Sequence, residues 1–202
     1  MESTKYSLKL ILKTPILGSQ PGRNDPASAF IRNQIREEYP ELAIDPEEVN
    51  SLPEEIQKGT TCFYRTPEGA PCMKSYQIKG MLKASASDQN GLRGVNNLKS
   101  HAQKVFYIFP IIIPFQNAGE IAIEERPMRG MTAQGPRTSL SRSEKINDGA
   151  FVECTLEVLK LPKVDFKEAM VRDILDYGRY CGLLQWRNSG IFGNFDYELV
   201  KL

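Results

Sequence analysis

The order of strand and helix patterns predicts an α+β fold in which an antiparallel sheet carries its helices on one face. Three observations predict it. Lys5–Lys13 and Phe151–Leu159 alternate apolar and polar residues with the period of a half-buried strand. Apolar residues at helical spacing fall between strand-like segments, over Gln77–Ser87 and again from Asp165. The last segment alternates once more, with Phe195, Tyr197 and Leu199 on one side.

Taken in order, the first strand turns Tyr6, Leu8, Leu10 and Leu12 one way and Lys5, Ser7, Lys9 and Lys13 the other. Thr14-Pro15 and the Gly18–Gly22 turn region break it. Asp25-Pro26 reads as an N-cap with proline at the first helical position, followed by Phe30, Ile31, Ile35 and Tyr39. The stretch from Glu37 to Lys58 is acidic, with seven Glu and Asp45 against Lys58, and its prolines predict short surface turns. Thr60–Arg65 and Met73–Tyr76 predict a hairpin around a Pro67–Pro71 turn, and Gln77–Ser87 a short helix bearing Ile78, Met81 and Leu82 on one face.

Lys104–Phe115 is nearly all apolar and predicts a strand in the middle of the sheet, with Ile121 and Ile123 in its hairpin partner. Arg126–Asp148 shows no sustained periodicity. Phe151–Leu159 turns Val152, Cys154, Leu156 and Val158 inward. Asp165 with Glu168 has capping-box spacing, opening a helix with Phe166, Ala169, Met170, Ile174 and Tyr177 as its buried stripe. Most of the order maps onto a β-α-β-β-α-β ferredoxin-like (RRM-like) arrangement with insertions. A single domain over 1–202 is expected, with an acidic insertion at about 37–58 and a projecting arm at about 126–148.

Composition narrows the function classes. The formal net charge of +1 provides no bulk field toward a polyanion, so any anion binding must come from local patches. The longest apolar run, Val105–Phe115, is too short to span a bilayer, and no secretory signal is read at Met1–Lys13. The four cysteines, Cys62, Cys72, Cys154 and Cys181, form no C-x-x-C pair, and His101 is the sole histidine. A metal site or cofactor is therefore not expected, and the cytoplasm is the consistent compartment.

Three segments carry candidate chemistry. In the first, Arg126, Arg129, Arg137, Arg142 and Lys145 face only Glu144 between 126 and 145, a local net of +4. Arginine suits bidentate phosphate contact and base stacking, although a solvated loop is the competing reading. The second, Tyr177–Gly193, combines four glycines with the donors Arg179, Gln185, Arg187, Asn188 and Ser189 and the rings Tyr180, Trp186 and Phe192. Those rings either stack on bases or plug the core. In the third, Lys79 and Lys83 stand one helical turn apart, on a helix whose basic face is either solvated or phosphate-contacting. Catalytic signals are poor: His101 sits among lysines, and no Walker loop, G-x-S-x-G or H-E-x-x-H is present.

These stretches resemble the RAMP superfamily of CRISPR-associated proteins. "KTPILGS" (13–19) is similar to that superfamily's first strand and small-residue turn. "YQIKGMLKAS" (76–85) is similar to its I-x-G-x-x-x-K-G-x-L-R helix start, without the first glycine. "GLLQWRNSGIFGNF" (182–195) resembles its glycine-rich loop, with Gly182, Arg187, Gly190 and Gly193 at matching places. The resemblance implies an RRM- or ferredoxin-like fold, and a hairpin at Arg126–Lys145 that inserts among nucleotides. "ERPMRGMTAQGPR" and "GLLQWRNSG" also look like an uncharacterised phage and prophage family.

The expectation is non-catalytic binding of single-stranded nucleic acid, RNA or DNA, lying across the sheet face and the glycine-rich loop. Self-association along the strand is its corollary, in the cytoplasm of a bacterial host cell if the chain is phage-encoded. The alternatives are a phage accessory or counter-defence protein acting on a protein complex partner, and a metal-independent endoribonuclease using His101 or a lysine.

Overall fold

The computed structural model describes residues 2–21, 60–132, 135–161 and 166–202, with only the backbone at 128–132 and 136–140. The Asp25-Pro26 helix and the acidic insertion at about 37–58 lie outside the described residues.

One four-stranded sheet organises the molecule. It is built from β1 (Ser3–Leu12), β7 (Phe106–Phe109), β11 (Phe151–Leu159) and β12 (Phe195–Lys201) in the order β12-β1-β11-β7, antiparallel throughout. The helices α1 (Ser75–Asp88) and α3 (Glu168–Cys181) stand in the chain between β1 and β7 and between β11 and β12. With helices in those two crossovers and the first and third strands of the motif at the centre, this is the ferredoxin-like arrangement.

The alternation in β1 and β11 explains the register. Tyr6 lies opposite Leu156, Leu8 opposite Cys154, and Leu10 opposite Val152, so a one-residue slip would turn the whole apolar set to solvent. Leu8, Leu10 and Leu156 are fully buried in one core cluster with Ile78, Met81 and Leu82 of α1 and with Ile174 and Leu175 of α3. The two helices approach closely where Gly178 meets Met81 and Ser85, and the Ser85 hydroxyl donates to the Ile174 carbonyl (2.5 Å). At the start of α1, Gln77 Oε1 accepts from the Lys74 N–H (2.8 Å), satisfying a donor the helix leaves orphaned.

Two smaller sheets flank the first. Strands β2 (Ile16–Leu17), β3 (Gln20–Pro21) and β4 (Thr60–Cys62) join β10 (Gly135–Ile146), which also pairs with β9 (Ala122–Thr132). Strands β5 (Tyr64–Arg65), β6 (Pro71–Lys74) and β8 (Ile112–Pro114) form the third, and β5–β6 is the hairpin expected around the Pro67–Pro71 turn.

Three sequence expectations are corrected. Lys104–Phe115 is not one central strand: helix α2 (Leu98–Val105) ends inside it, β7 is the sheet edge, and β8 belongs to another sheet. Pro110 has no N–H for a ladder, which explains the break. Ile123 stands in β9, whose partner is β10, because the cross-strand match runs from Ala122 opposite Lys145 to Thr132 opposite Gly135. In α3 the buried stripe is Met170, Val171, Ile174, Leu175, Gly178 and Cys181, while Tyr177 is exposed.

Leu8 on the central strand tests the core. Leu8→Ala is expected to cost about 2–5 kcal/mol in urea unfolding. Lys5→Ser, on the opposite face of β1, is expected to stay within about 0.5 kcal/mol of the parent.

Candidate nucleic-acid interface

The arm is a β-ribbon. β9 and β10 pair along their length, and β10 is anchored only near its end, where Arg142 and Ser143 pair with β4 and Lys145 and Ile146 with β2. Among the described residues, the two strands pair only with each other from Arg126 and Ser141 outward. Arg129 lies opposite Thr138 and Arg137 opposite Gly130 in that outer part.

Charge at the ribbon base is lower than the sequence window predicts. The ribbon begins at Ala122, so Glu124 and Glu125 belong to it, and the net of +4 over 126–145 falls to +2 over 122–146. Arg142 lies directly across from Glu125 and pairs with it (2.8 Å), and Lys145 pairs with Glu124 (2.8 Å). Glu144 turns inward to hold the Arg65 guanidinium and accept from the Phe63 N–H (2.8 Å). Arg142 and Lys145 are thus ribbon-stabilising groups, corrected from free phosphate contacts.

Arg126 is different. Its guanidinium lies 5.2 Å from the Trp186 ring and 4.7 Å from the Phe192 ring, so the ribbon base rests on the glycine-rich loop. Phe192 is buried apart from the main core cluster and Trp186 is half-buried, with Arg126 against both rings. A polar chain makes a second tie: Thr61 donates to Ser143 (2.8 Å), which donates to Gln185 Oε1 (3.1 Å). Ser143 is buried, so that hydroxyl needs its partners.

The loop holds an unusual backbone. Leu184, Trp186 and Asn188 sit at φ 57°, 59° and 63°, left-handed values that cost non-glycine residues roughly 1–3 kcal/mol each. The neck closes where the Leu183 N–H donates to the Gly193 carbonyl (2.9 Å). Gly193 has φ +72°, and a Cβ there would stand 2.4 Å from the Leu183 carbonyl oxygen, so only glycine fits. Among the described residues, the N–H groups of Leu184, Gln185, Trp186 and Arg187 donate to no protein acceptor. Such unpartnered amides beside a guanidinium suit an anion.

Helix α1 continues this surface. Arg187 is exposed and its Nη1 lies 4.0 Å from where a Cβ on Gly80 would stand. Next to Gly80, the Lys79 ammonium sits 4.6 Å from the Tyr107 ring. Partial burial and the neighbouring Lys83 charge both push the Lys79 pKa down. Asn188 is exposed beside Arg187. Arg179 and Tyr180 are drawn elsewhere: Arg179 pairs with Asp196 (3.6 Å) and stacks on Tyr180 (5.1 Å). Tyr180 lines a groove with Asp173, Asp176, Tyr177 and Arg93. Gln185, read from sequence as a donor of the loop, instead accepts from Ser143, and Tyr107 was not singled out from sequence. Tyr107 reads as one more apolar residue in a continuous run, and only pairing with β11 exposes it.

The open face of the main sheet is poorly suited to a polyanion. It presents Glu153, Glu157, Asp196 and Glu198 against Lys5, Lys9 and Lys13, with Lys9 paired to Glu153 (3.8 Å) and Lys13 to Asp196 (3.1 Å). Three of the cysteines are shifted away from the thiolate. Burial pushes the Cys154 thiol up to about 12 and raises Cys72 and Cys181, the reverse of what a thiolate nucleophile needs. His101 Nδ1 is buried with no hydrogen-bond partner among the described residues. Among the described residues no three His, Cys, Asp or Glu side chains group to hold a metal ion, and no helix is long and apolar enough to cross a membrane.

No protein-family model matches the chain, and no curated protein matches it. A cryo-EM structure of the Type III-B Cmr-beta bound to cognate target RNA is similar at 11% identity with a TM-score of 0.46. The alignment covers 99% of this chain, which spans about three fifths (61%) of the length of that one. That likeness is too distant to transfer a residue's role.

Gly193→Ala is expected to lower stability by about 3 kcal/mol or more, read as a fall in urea midpoint, because strain and a backbone clash coincide. Cys154, protonated well above neutral pH, is expected to resist Ellman's reagent at pH 8 in the native protein and to react at once in denaturant.

Proposed function

We propose that this chain binds single-stranded nucleic acid, without catalysing its cleavage, along a track formed by the ribbon base, the glycine-rich loop and the exposed face of α1. The observation that carries the reading is the seating of Arg126 on Trp186 and Phe192, which makes one surface of two segments distant in sequence. On that surface Arg187, Asn188 and unpartnered loop N–H groups provide phosphate donors, and the ribbon adds Arg129 and Arg137 along its outer part. The track runs on the helix side, because carboxylates outnumber ammonium groups on the open sheet face. The resemblance of the loop and helix motifs to the RAMP superfamily points the same way. Assembly of several copies along one strand accords with a ribbon whose outer strands, among the described residues, pair only with each other.

Fluorescence polarisation with labelled oligonucleotides tests the reading. Affinity is expected to fall with salt at a log–log slope of about 0.7 per phosphate contacted. Arg187→Ala, at an exposed site, is expected to lower that slope by about 0.7 and leave the urea midpoint unchanged. Lys5→Glu on the sheet face is expected to leave binding as it was. Absence of binding to RNA and DNA at about 50 mM salt would overturn the proposal and leave the accessory, protein-binding reading in its place.

A further inference from the structure

Among the described residues β7 is the edge strand of the main sheet, and its sequence Phe106-Tyr107-Ile108-Phe109 is apolar throughout. Pairing with β11 sorts it into two faces: Phe106 and Ile108 are buried, while Tyr107 and Phe109 are 41% and 48% exposed. Two aromatic rings therefore stand side by side on one face of a strand, roughly 7 Å apart along the chain. Neither ring contributes to the core cluster, so the fold itself gives no reason for them.

Charge around the pair is asymmetric. On the helix side the Lys79 ammonium lies over Tyr107, with Lys83 close enough for the two cations to disfavour one another. On the sheet side Glu157 stands directly opposite Tyr107, and Glu153 lies two residues beyond Thr155, the partner of Phe109. Tyr107 and Phe109 thus stand at the outer margin of the open face, in the rows of Glu157 and Thr155, where a strand touching them is drawn toward Lys79 and repelled by the carboxylates further in. The edge also connects with the track already described, because Lys79 adjoins Gly80 in α1 and Arg187 reaches Gly80.

We infer that Tyr107 and Phe109, with Lys79, form a second base-stacking subsite that carries a single strand from Arg187 over α1 to the outer edge of β7. The inference rests on the function proposed above and adds to it that the chain grips a longer segment than the glycine-rich loop alone. Each ring stacks on a base and Lys79 meets an adjacent phosphate.

Oligonucleotides of about 6 and about 16 nucleotides, bracketing the site sizes of small single-strand-binding modules, separate the two ideas. Replacing both rings (Tyr107→Ala with Phe109→Ala) is expected to weaken the 16-mer by about tenfold or more, since one stacked base is worth about 1–3 kcal/mol. The 6-mer, held by the loop and Arg187, is expected to bind as before, and Tyr107→Phe is expected to keep full 16-mer affinity. A 5-iodouracil-substituted 16-mer is expected to photocrosslink to Tyr107 or Phe109. If the parent binds neither oligonucleotide, the track itself fails. If the parent binds both and the double variant matches it, or no crosslink maps to β7, the track stands and this subsite is overturned, leaving the aromatic edge to a protein partner. Urea midpoints within about 0.5 kcal/mol of the parent exclude a folding defect, as expected for exposed positions.

Discussion

Beside the backbone pairing of β10 with β2 and β4, the ribbon is tied to the core by a polar chain, Thr61 to Ser143 to Gln185. It joins β4, β10 and the glycine-rich loop, three segments far apart in sequence, at a point where the serine is buried. A buried hydroxyl without a partner costs about 1–3 kcal/mol, so the chain favours the arrangement in which the three segments meet. Arg126 then closes over Trp186 and Phe192 from the ribbon side, adding a cation–π contact to the hydrogen bonds. Everything argued about the interface follows from that seating, because it decides which side of the ribbon base meets the loop.

The distribution of charge separates structural cations from available ones. Lys9, Lys13, Arg65, Arg142, Lys145 and Arg172 each meet a carboxylate of their own chain. Exposed pairs of this kind contribute little stability, yet they remove the charge from the pool that a distant anion feels. Arg187, Lys79 and Lys83 form no ion pair among the described residues and cluster on the helix side of the sheet. A chain with a net charge of +1 can therefore present a local basic surface without a basic composition.

Strain marks the same place. Three non-glycine residues adopt left-handed backbone within five positions of the loop, and the neck that holds them tolerates only glycine at Gly193. Such conformations persist where the surroundings over-determine them. Here Gln185, Phe192 and the Leu183–Gly193 hydrogen bond do so, and the Leu184–Arg187 amides have no acceptor among the described residues.

Sequence alone determined the frame. Period-two alternation in β1 and β11 fixes which side chains are buried, since a slip would turn every leucine outward, and the interleaved helical patterns fix a mixed antiparallel sheet. The glycine-rich segment was legible too, because glycines spaced among donors and aromatic rings are rare inside regular elements. Tertiary structure decided the rest. A uniformly apolar run such as 104–115 has no alternation to read, so only pairing with β11 shows that Tyr107 faces out and that the run splits between two sheets. Whether an arginine is free or spent depends on a carboxylate across a strand, as with Arg142 and Glu125, and cross-strand register is not written in local spacing. The meeting of Arg126 with Trp186 likewise joins residues sixty positions apart, a contact that exists only once the chain has closed on itself.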